Sequence, residues 1–558
     1  MHPSTTTSTA AANQKLVQLL PDTWDRAHDV LLIVGEGSGS LATPFVEAGL
    51  QRVITMYPPP LQPEPFPTGS ILVRTRQELT RTINLLGGQR PRQFATVRTP
   101  KCSLDKTTTD NIAALLKSLI ERGETNRLVQ DELAPLWAKN SVQNMPRIAQ
   151  NPMVTDVQDA FKGMPLVIVG AGPSLQKNIH LVAELQQRAI ILGVNRTLTS
   201  LQNAGVWPDL AMALEAQDVG CHFNGIQTDQ IAALILAVTA SPNLFDLNFP
   251  RLLSYSGNLE ADNWMFSTED NAKELPSGGS VSCSALSLGL LWGCDPIILL
   301  GQDLSFPGGA YYHSQGADGS TKAIHNKESN VWELQGYSED LANTLHDRLQ
   351  GSAPRFTGTQ VPGYYGGTVP TSTDFATFRT WFENTALDHQ GQTRIINCTE
   401  GGAFIGGMEH LALADVLPTL PILKRSITDV LDSHTVNAAT QSRNQRMCSR
   451  TKTIARDLDR SIELARTCVR LIDKSKRSPS HLGALQQAES SLKISLKNLK
   501  VLSLMDQKEI RNASALGQAA KNMKQSLAAA RSLYSVVIEQ GEQLRASLGD
   551  ALSEFDNQ

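Results

Sequence analysis

Residues 166–179 read LVIVGAGPSLQKNI. Leu166, Val167, Ile168 and Val169 form a short apolar run, mostly β-branched, of the kind that makes a strand buried on both faces. Gly170-Ala171-Gly172 then lets the backbone turn tightly. Pro173 suits the first position of a helix, where its missing N–H costs nothing. The spacing predicts a strand over Leu166–Val169 and a helix from Ser174. The free N–H groups and dipole of such a helix start would face an anion above the strand end. A plain strand-to-helix turn uses the same residues, and the two readings stand side by side at this level.

Outward from this stretch the alternation repeats. Strands are expected at Ala189–Val194, Leu210–Leu214, Ala233–Val238 and Pro296–Leu300, with a helix over Ser280–Trp292. Repeated βαβ units of this kind imply an α/β fold with a mainly parallel, doubly wound sheet. Upstream, strand Val30–Val34 runs into Gly35-Glu36-Gly37-Ser38-Gly39, a helical stretch to Ala48 and a second strand at Arg52–Met56. The third glycine of a dinucleotide fingerprint would fall at Ser40. The second strand ends in Thr55-Met56-Tyr57, without a carboxylate for a ribose. This N-terminal unit is therefore read as a Rossmann-like scaffold. A proline-rich loop from Pro58 to Pro67 follows it, and residues 109–140 read as a polar-faced helical connector.

Composition changes near Asp415. Residues 416–558 hold 4 of the 40 glycines, 3 of the 28 prolines and none of the 7 tryptophans, so they should be helical. Met523, Leu527, Ala530, Tyr534, Val537, Gly541, Leu544, Leu548, Ala551 and Phe555 make one apolar stripe on a long helix. Ile454, Leu458, Ile462, Ala465, Val469 and Ile472 make a second, and the two stripes call for partner helices. Ser478-Pro479-Ser480 is the expected turn between helices. The tail also carries 22 Lys/Arg against 14 Asp/Glu, so the whole-chain charge of −4 conceals a basic tail on an acidic body. The expected division is 1–150, an N-terminal Rossmann-like domain with a helical linker; 151–415, a central α/β domain; and 416–558, a C-terminal helical domain.

The 558 residues are 41% apolar and 19% charged, an ordinary globular composition that gives no case for nucleic-acid binding. Apolar runs such as Ala232–Val238 fall well short of the roughly 18 residues a membrane span needs. The opening MHPSTTTSTAAANQK has neither a basic nor an apolar signal region. The 7 cysteines contain no CxxC pair and fit reduced thiols in a cytoplasmic setting. Neither HExxH nor a Walker A motif occurs, and no DxD falls in the α/β regions, so nothing asks for a metal.

Candidate chemistry lies at the strand ends. Asn195 and Arg196 follow the second central strand at the carboxyl edge, where open α/β sheets bind ligands; Asn195 either orients a nucleotide or caps the next helix. Ser277-Gly278-Gly279-Ser280 offers a second helix N-terminus, or an ordinary serine cap. Asp303, in Gly301-Gln302-Asp303-Leu304-Ser305, is either a site residue or a loop brace. Beyond it a long irregular stretch carries Tyr311, Tyr312, His313 and His325. Such loops in compact domains are more often functional than not. His313 has the chemistry of a general base, although a lone histidine is equally at home in a structural role.

Taken together, GAGPSLQKNI, GVNRT, WPDL, SGGSVSCSALSLGLLWGCDPIILLGQDLSF, YYHSQG, VPGYYGGTVPTS and NCTEGGAFIGG resemble the motility-associated-factor (Maf) flagellin glycosyltransferases. Their central domain is described as MptE-like, after a 6-hydroxymethylpterin diphosphokinase, and is similar to bacterial sialyltransferases. The resemblance covers about residues 160–410. It implies transfer of a nonulosonic acid, pseudaminic or legionaminic, from a CMP-sugar to Ser/Thr of flagellin, with inversion and with no required cofactor or metal. Gly170, Gly172, Pro173 and Ser174 would then line the CMP phosphate and ribose, and Asn195 would hold the nucleotide or sugar. Ser277, Gly278 and Gly279 would embrace the cytidine end, and Asp303 would organise the site. Tyr311 or Tyr312 would donate to the departing phosphate, and His313, or else His325, would deprotonate the acceptor. Thr399, Glu400, Gly401 and Gly402 would close the site. The implied partners are flagellin or its chaperone, docked by the basic tail, with no nucleic acid and no membrane. The rival readings are an MptE-like diphosphokinase and a catalytically inactive flagellin-binding assembly factor.

Overall fold

The computed structural model describes residues 20–557 apart from 22, 37, 63–64, 86–90, 92, 101, 258–274, 314, 317–318, 327–330, 336–354, 424–425, 436–438, 476–477, 500–506 and 519. The chain divides into two compact units, 1–130 and 131–558.

In the first unit, β1 (Val30–Val34), β2 (Val53–Met56), β3 (Ser70–Val73) and β4 (Phe94–Arg98) form a parallel sheet in the order β3-β2-β1-β4. Helices α1 (Ser38–Glu47) and α2 (Arg76–Leu85) accompany it, and α3 (Lys106–Gln150) begins here. Leu31 and Ile33 point to the α1 face, and Val30, Leu32 and Val34 point to the other. The glycine-rich turn is filled from within. A Cβ at Gly35 would strike Cys102, and one at Gly39 would strike the Pro65 carbonyl. The Gly39 N–H donates to the Tyr57 hydroxyl at 3.2 Å, and the Ser103 N–H donates to the Glu36 carboxylate at 3.0 Å. Gly37 lies outside the described residues.

The second unit is built on an eight-stranded sheet, β16-β15-β10-β5-β6-β7-β8-β9, parallel throughout. Its strands are β5 (Leu166–Val169), β6 (Ile190–Val194), β7 (Leu210–Ala213), β8 (Ala233–Ala237), β9 (Leu252–Tyr255), β10 (Ile297–Leu300), β15 (Ile395–Asn397) and β16 (Glu409–His410). Alternate residues feed opposite cores. Leu166 and Ile168 pack with α4 (Val281–Leu291), while Val167 and Val169 pack with Leu175, Val182 and Leu185. Helix α4 lies within the span expected for it. The helix expected from Ser174 does not form: Pro173–Lys177 is a five-residue 3-10 turn, followed by a second such turn and a single α-turn at Val182–Leu185.

The stretch after β10, expected to be irregular, contains an antiparallel sheet of β11 (Lys322–Asn326), β12 (Val331–Gln335), β13 (Arg355–Pro362) and β14 (Thr368–Ser372). Its glycine, proline and charge content hid the alternation of Ala323, Trp332 and Leu334 towards a small core with Phe306. Helix α5 (Thr373–Asp388) then leads into β15.

The tail is helical as expected: α6 (Ile427–Thr435), α7 (Ala439–Ser475), α8 (Leu482–Leu499), α9 (Gln507–Gln518) and α10 (Met523–Asp556). Leu458, Ile462 and Ala465 of α7 face Val537, Gly541, Leu544 and Leu548 of α10, in one apolar core continuous with the sheet face. Met523, assigned to the stripe, is instead 61% exposed. Arg443 of α7 reaches Asp156 at 2.6 Å and the Asn151 carbonyl at 3.0 Å. Among the described residues no helix is long and apolar enough to cross a membrane.

The last turns of α3 fix the loops that leave β7 and β8. Asn140 donates to the carbonyls of Ala216 and Thr239, and Asn144, one turn on, donates to those of Val238 and Ala240. Asn144→Ala leaves two buried carbonyls without their donor and should cost roughly 2 kcal/mol in denaturant unfolding; a loss below about 0.5 kcal/mol would mean that water replaces the amide. Asp209 gives a pH-dependent term. Its carboxylate accepts the Ile191 N–H at 2.8 Å, and desolvation raises its pKa from 3.8 to about 7. The folded state favours the protonated form, so this stability is complete below pH 3.8 and lost as pH rises through about 7. Asp209→Asn keeps an acceptor and removes the charge. Its melting temperature should exceed that of the parent at pH 8 and match it at pH 4.

Candidate active site

Strands β5 to β9 run to one side of the sheet, and β10, β15 and β16 return on the other. The loops leaving β5 and β10 therefore diverge at their carboxyl ends, which is where open α/β sheets bind ligands. Three loops meet there: Gly170–Ser174 after β5, Gly301–Ser305 after β10, and Cys398–Gly402 after β15.

Their approach is close enough to dictate glycine. A Cβ at Gly170 would collide with the Gln302 side chain, one at Gly172 with the Asp303 carboxylate, and one at Gly401 with Ser174. The Asp303 side chain is 2% exposed and accepts the Ser174 N–H at 3.2 Å and 3.1 Å through its two oxygens. Its carbonyl accepts the Ala403 N–H at 2.7 Å. Asp303 is thus a brace between all three loops. Burial pushes its carboxyl up to about 6, while the Ser174 hydrogen bonds and the nearby Lys177 charge oppose the rise. The anion expected above Gly170–Ser174 is therefore supplied internally: the Ser174 N–H faces Asp303, and no α-helix starts there to add a dipole. Leu304 and Glu400, on either side of this contact, have φ of +46° and +56°, two of the three non-glycine residues described in that region of backbone space. Such strain clusters at functional sites.

His313 joins the same cluster. Its N–H donates to the Ala171 carbonyl at 2.9 Å, and its Nδ1 lies 3.0 Å from the Ser200 hydroxyl. The ring is 1% exposed, and Nε2 is buried without a hydrogen-bond partner. Burial lowers its pKa below 6.5, so the ring is neutral near pH 7. His325, the other candidate base, stacks on Trp332 in the antiparallel sheet, with ring centroids 4.7 Å apart.

The remaining candidates are distributed around this centre. Asn195 accepts the Arg196 N–H and holds its amide 3.2 Å from Nδ1 of His222. His222 was not singled out in the sequence; burial and the Arg196 charge push its pKa down to about 3. Tyr311 stacks on Phe306, and Tyr312 lies under the Arg196 guanidinium at 5.0 Å. Thr399 is fully buried and accepts the Gln302 N–H at 3.0 Å. The Gln302 side chain donates to Ser282 in the first turn of α4 at 2.7 Å, which links the preceding Ser277–Ser280 turn to the centre. Within that turn Ser280 caps α4, Ser277 accepts the Gly279 N–H, and Gly278 packs against Trp381 of α5.

At the rim, Glu400 caps the Leu413–Val416 turn through the Leu413 N–H, and its carbonyl accepts the Lys177 ammonium. That ammonium also lies 5.3 Å from the Tyr365 ring centroid. Gln302, Lys177 and Tyr365 had no motif-level signal beyond their presence in the conspicuous strings GQDLSF, LQK and PGYYGG, and Ser200 had none at all. Among the described residues no group of three or more His, Cys, Asp or Glu side chains is placed to hold a metal ion. A groove of about 530 Å³ lies elsewhere, between α3, the loops after β7 and β8, and the end of α10. The centre thus offers a neutral buried imidazole for proton acceptance, a carboxyl poised near neutrality and a cation at its mouth.

No curated protein matches the chain. The MAf glycosyltransferase from Magnetospirillum magneticum AMB-1 aligns over 100% of this chain and 85% of its own, with 15% identity and a TM-score of 0.45. Residues 139–309, from the end of α3 through β10 and its loop, match the family model described as 6-hydroxymethylpterin diphosphokinase MptE-like, in agreement with the MptE-like resemblance of the GAGPS and GQDLSF strings.

Proposed function

We propose that the chain is a glycosyltransferase that moves a nonulosonic acid, pseudaminic or legionaminic, from its CMP-activated form to Ser/Thr of flagellin. The observation that carries this reading is the buried Nε2 of His313, which has no protein partner and is tied through Ala171 to the glycine turn that Asp303 braces. In this reading the donor lies across the Gly170–Ser174 turn, with Asn195 and Ser277–Gly279 towards its nucleoside. The acceptor oxygen attacks the anomeric carbon on the face opposite the phosphate. The carbon–oxygen bond to CMP breaks with its electron pair on phosphate, and the acceptor proton passes to His313 Nε2. The centre inverts through an oxocarbenium-like transition state. The Tyr311 or Tyr312 hydroxyl donates to the departing phosphate, the electrostatic contribution that needs no metal. Thr399 and Glu400 hold the third loop in place. No cofactor enters the reaction, which is assigned to the cytoplasm.

A docking role for the tail is part of the proposal, for flagellin or its chaperone. Several of its cations already have carboxylate partners: Arg443 with Asp156, Arg466 with Glu542, Arg470 with Glu463 and Lys452 with Asp556. The attraction therefore rests on the remainder of the patch. The family-model description favours a second reading, pyrophosphate transfer from ATP to 6-hydroxymethylpterin. The third, an assembly factor without activity, predicts normal flagellar assembly with His313→Ala.

Incubation with CMP-pseudaminic or CMP-legionaminic acid and purified flagellin should add one sugar mass per modified residue. His313→Ala should lower kcat by about 10²–10⁴-fold with donor binding retained. Unmodified flagellin with the CMP-sugar neither bound nor hydrolysed overturns the reading, and AMP release from ATP with the pterin and Mg²⁺ selects the second. The pH profile is a separate check. The Asp303 carboxylate, as the anion that holds the Ser174 N–H, forms as pH rises through about 6. Transfer kcat/KM should therefore rise through that value, and Asp303→Asn should abolish or displace this limb; an unchanged limb would assign it to another group.

A further inference from the structure

Lys177 and Tyr365 lie beside the three braced loops, within the strings GAGPSLQKNI and VPGYYGGTVPTS but with no role assigned to either residue. Lys177 ends the 3-10 turn that opens with Pro173, so its backbone is fixed by the same loop that Asp303 braces. Its ammonium has three neighbours. It donates to the Glu400 carbonyl, it stands 5.3 Å from the Tyr365 ring centroid, and a Cβ placed on Gly401 would lie 3.5 Å from it. That same Cβ would collide with the Ser174 side chain, so the ammonium borders the Ser174–Asp303 contact. Its charge is felt by the buried Asp303 carboxyl. None of its three neighbours is a carboxylate at salt-bridge distance, so its positive charge is held in place but not neutralised.

Tyr365 is 73% exposed, the highest value among the large exposed apolar side chains described. It is presented by a loop whose Gly366 and Gly367 have φ of +89° and +67°, and which is tied to the β15 loop by the Tyr364 N–H bonding to the Gly402 carbonyl at 2.9 Å. The ring is therefore displayed from a braced loop, not shed by a loose one. A cation over an exposed ring is held weakly, and a charged oxygen in hydrogen-bond contact holds it more strongly.

We propose that Lys177, parked on Tyr365 and the Glu400 carbonyl, is the charge-reading residue of the crevice: it leaves the ring to pair with the phosphate or carboxylate oxygen of an anionic nucleotide-linked donor. This rests on the donor reading above and adds to it the selection of charged over uncharged ligands. Tyr365 is the positioning residue that keeps the ammonium at the mouth when no donor is bound. Both partners of the pair come from loops that Asp303 and Gly402 hold together, so charge reading and loop bracing share one set of backbone contacts.

The full chain, titrated calorimetrically with CMP, the CMP-sugar and cytidine at low and at moderate salt, tests this. CMP and CMP-sugar affinity should fall about tenfold in Lys177→Met, with a shallower salt dependence, while cytidine affinity stays as in the parent. Lys177→Arg should recover most of the loss, and Tyr365→Ala should weaken the charged ligands less than Lys177→Met does. Equal affinities of parent and Lys177→Met for CMP and CMP-sugar overturn the assignment, as does a parallel loss of cytidine. If the parent binds none of the three, the donor reading itself fails; if it binds all three and Lys177→Met changes nothing, only the charge-reading role fails.

Discussion

The second unit depends on one residue bonded in two directions, by its side chain and by its backbone carbonyl. Asp303 receives the Ser174 N–H at its carboxylate and the Ala403 N–H at its carbonyl, and in doing so it ties the loops of β5, β10 and β15 at the point where the strand order reverses. The parallel sheet alone would leave these loops to diverge. With Asp303 buried between them, each must come so near that only glycine fits at positions 170, 172, 401 and 402. The same closeness desolvates the carboxyl and raises its pKa, so a structural tie and a titratable group near neutrality have one cause.

From that tie the surrounding parts take their positions in turn. The β5 loop, once fixed, offers the Ala171 carbonyl to the His313 N–H; the β10 loop presents the Leu304 carbonyl to the Thr371 hydroxyl and the Phe306 N–H to the Pro370 carbonyl, which seats the antiparallel sheet. Further along the sheet, the paired asparagines of α3 do similar work on the loops after β7 and β8, with side-chain amides instead of a carboxylate. On the face that α4 covers, the apolar core continues into α7 and α10, so the helical tail is held by burial as well as by the Arg443–Asp156 pair. Burial supplies most of the driving force; the pair fixes which residues meet.

Five of the eight strands, β5 to β8 and β10, were legible because they are buried on both faces and read as apolar runs: Leu166–Val169, Ala233–Ala237 and Ile297–Leu300 carry their structure in four or five residues. The strands Leu252–Tyr255, Ile395–Asn397 and Glu409–His410 were not marked. The tail was legible by the heptad-like spacing of Val537, Gly541, Leu544 and Leu548, although the same spacing over-extended the stripe to Met523, past the partner that would bury it. The antiparallel sheet escaped although β11–β12 and β13–β14 pair as hairpins, because its strands are only partly buried and mix charged, glycine and proline residues with the apolar ones. The GAGPS turn was read correctly as a turn and wrongly as a helix start. Proline and glycine announce a change of direction, but the depth of the helix that follows depends on Leu175, Ile179 and Val182 packing under the sheet, a tertiary fact. Gln302, Ser200 and Lys177 matter through partners 20 or more residues away, and no local pattern marks such a contact.

The electrostatics of the crevice place its two titratable centres in complementary states. Burial works on both, but in opposite directions of charge: it disfavours the imidazolium of His313 and the carboxylate of Asp303 alike. Asp303 recovers its charge by accepting the Ser174 N–H and by the proximity of Lys177, whereas His313 has only the Ser200 hydroxyl at Nδ1. Near pH 7 the centre therefore holds an ionised brace and a neutral base. A hydroxyl at Nδ1 can accept the ring proton there or donate one to it, and only the first leaves Nε2 with the lone pair that proton acceptance requires. With the N–H on Nδ1 facing Ser200, the buried Nε2 keeps its lone pair and has no hydrogen-bond partner, and an incoming hydroxyl is the kind of ligand that completes it.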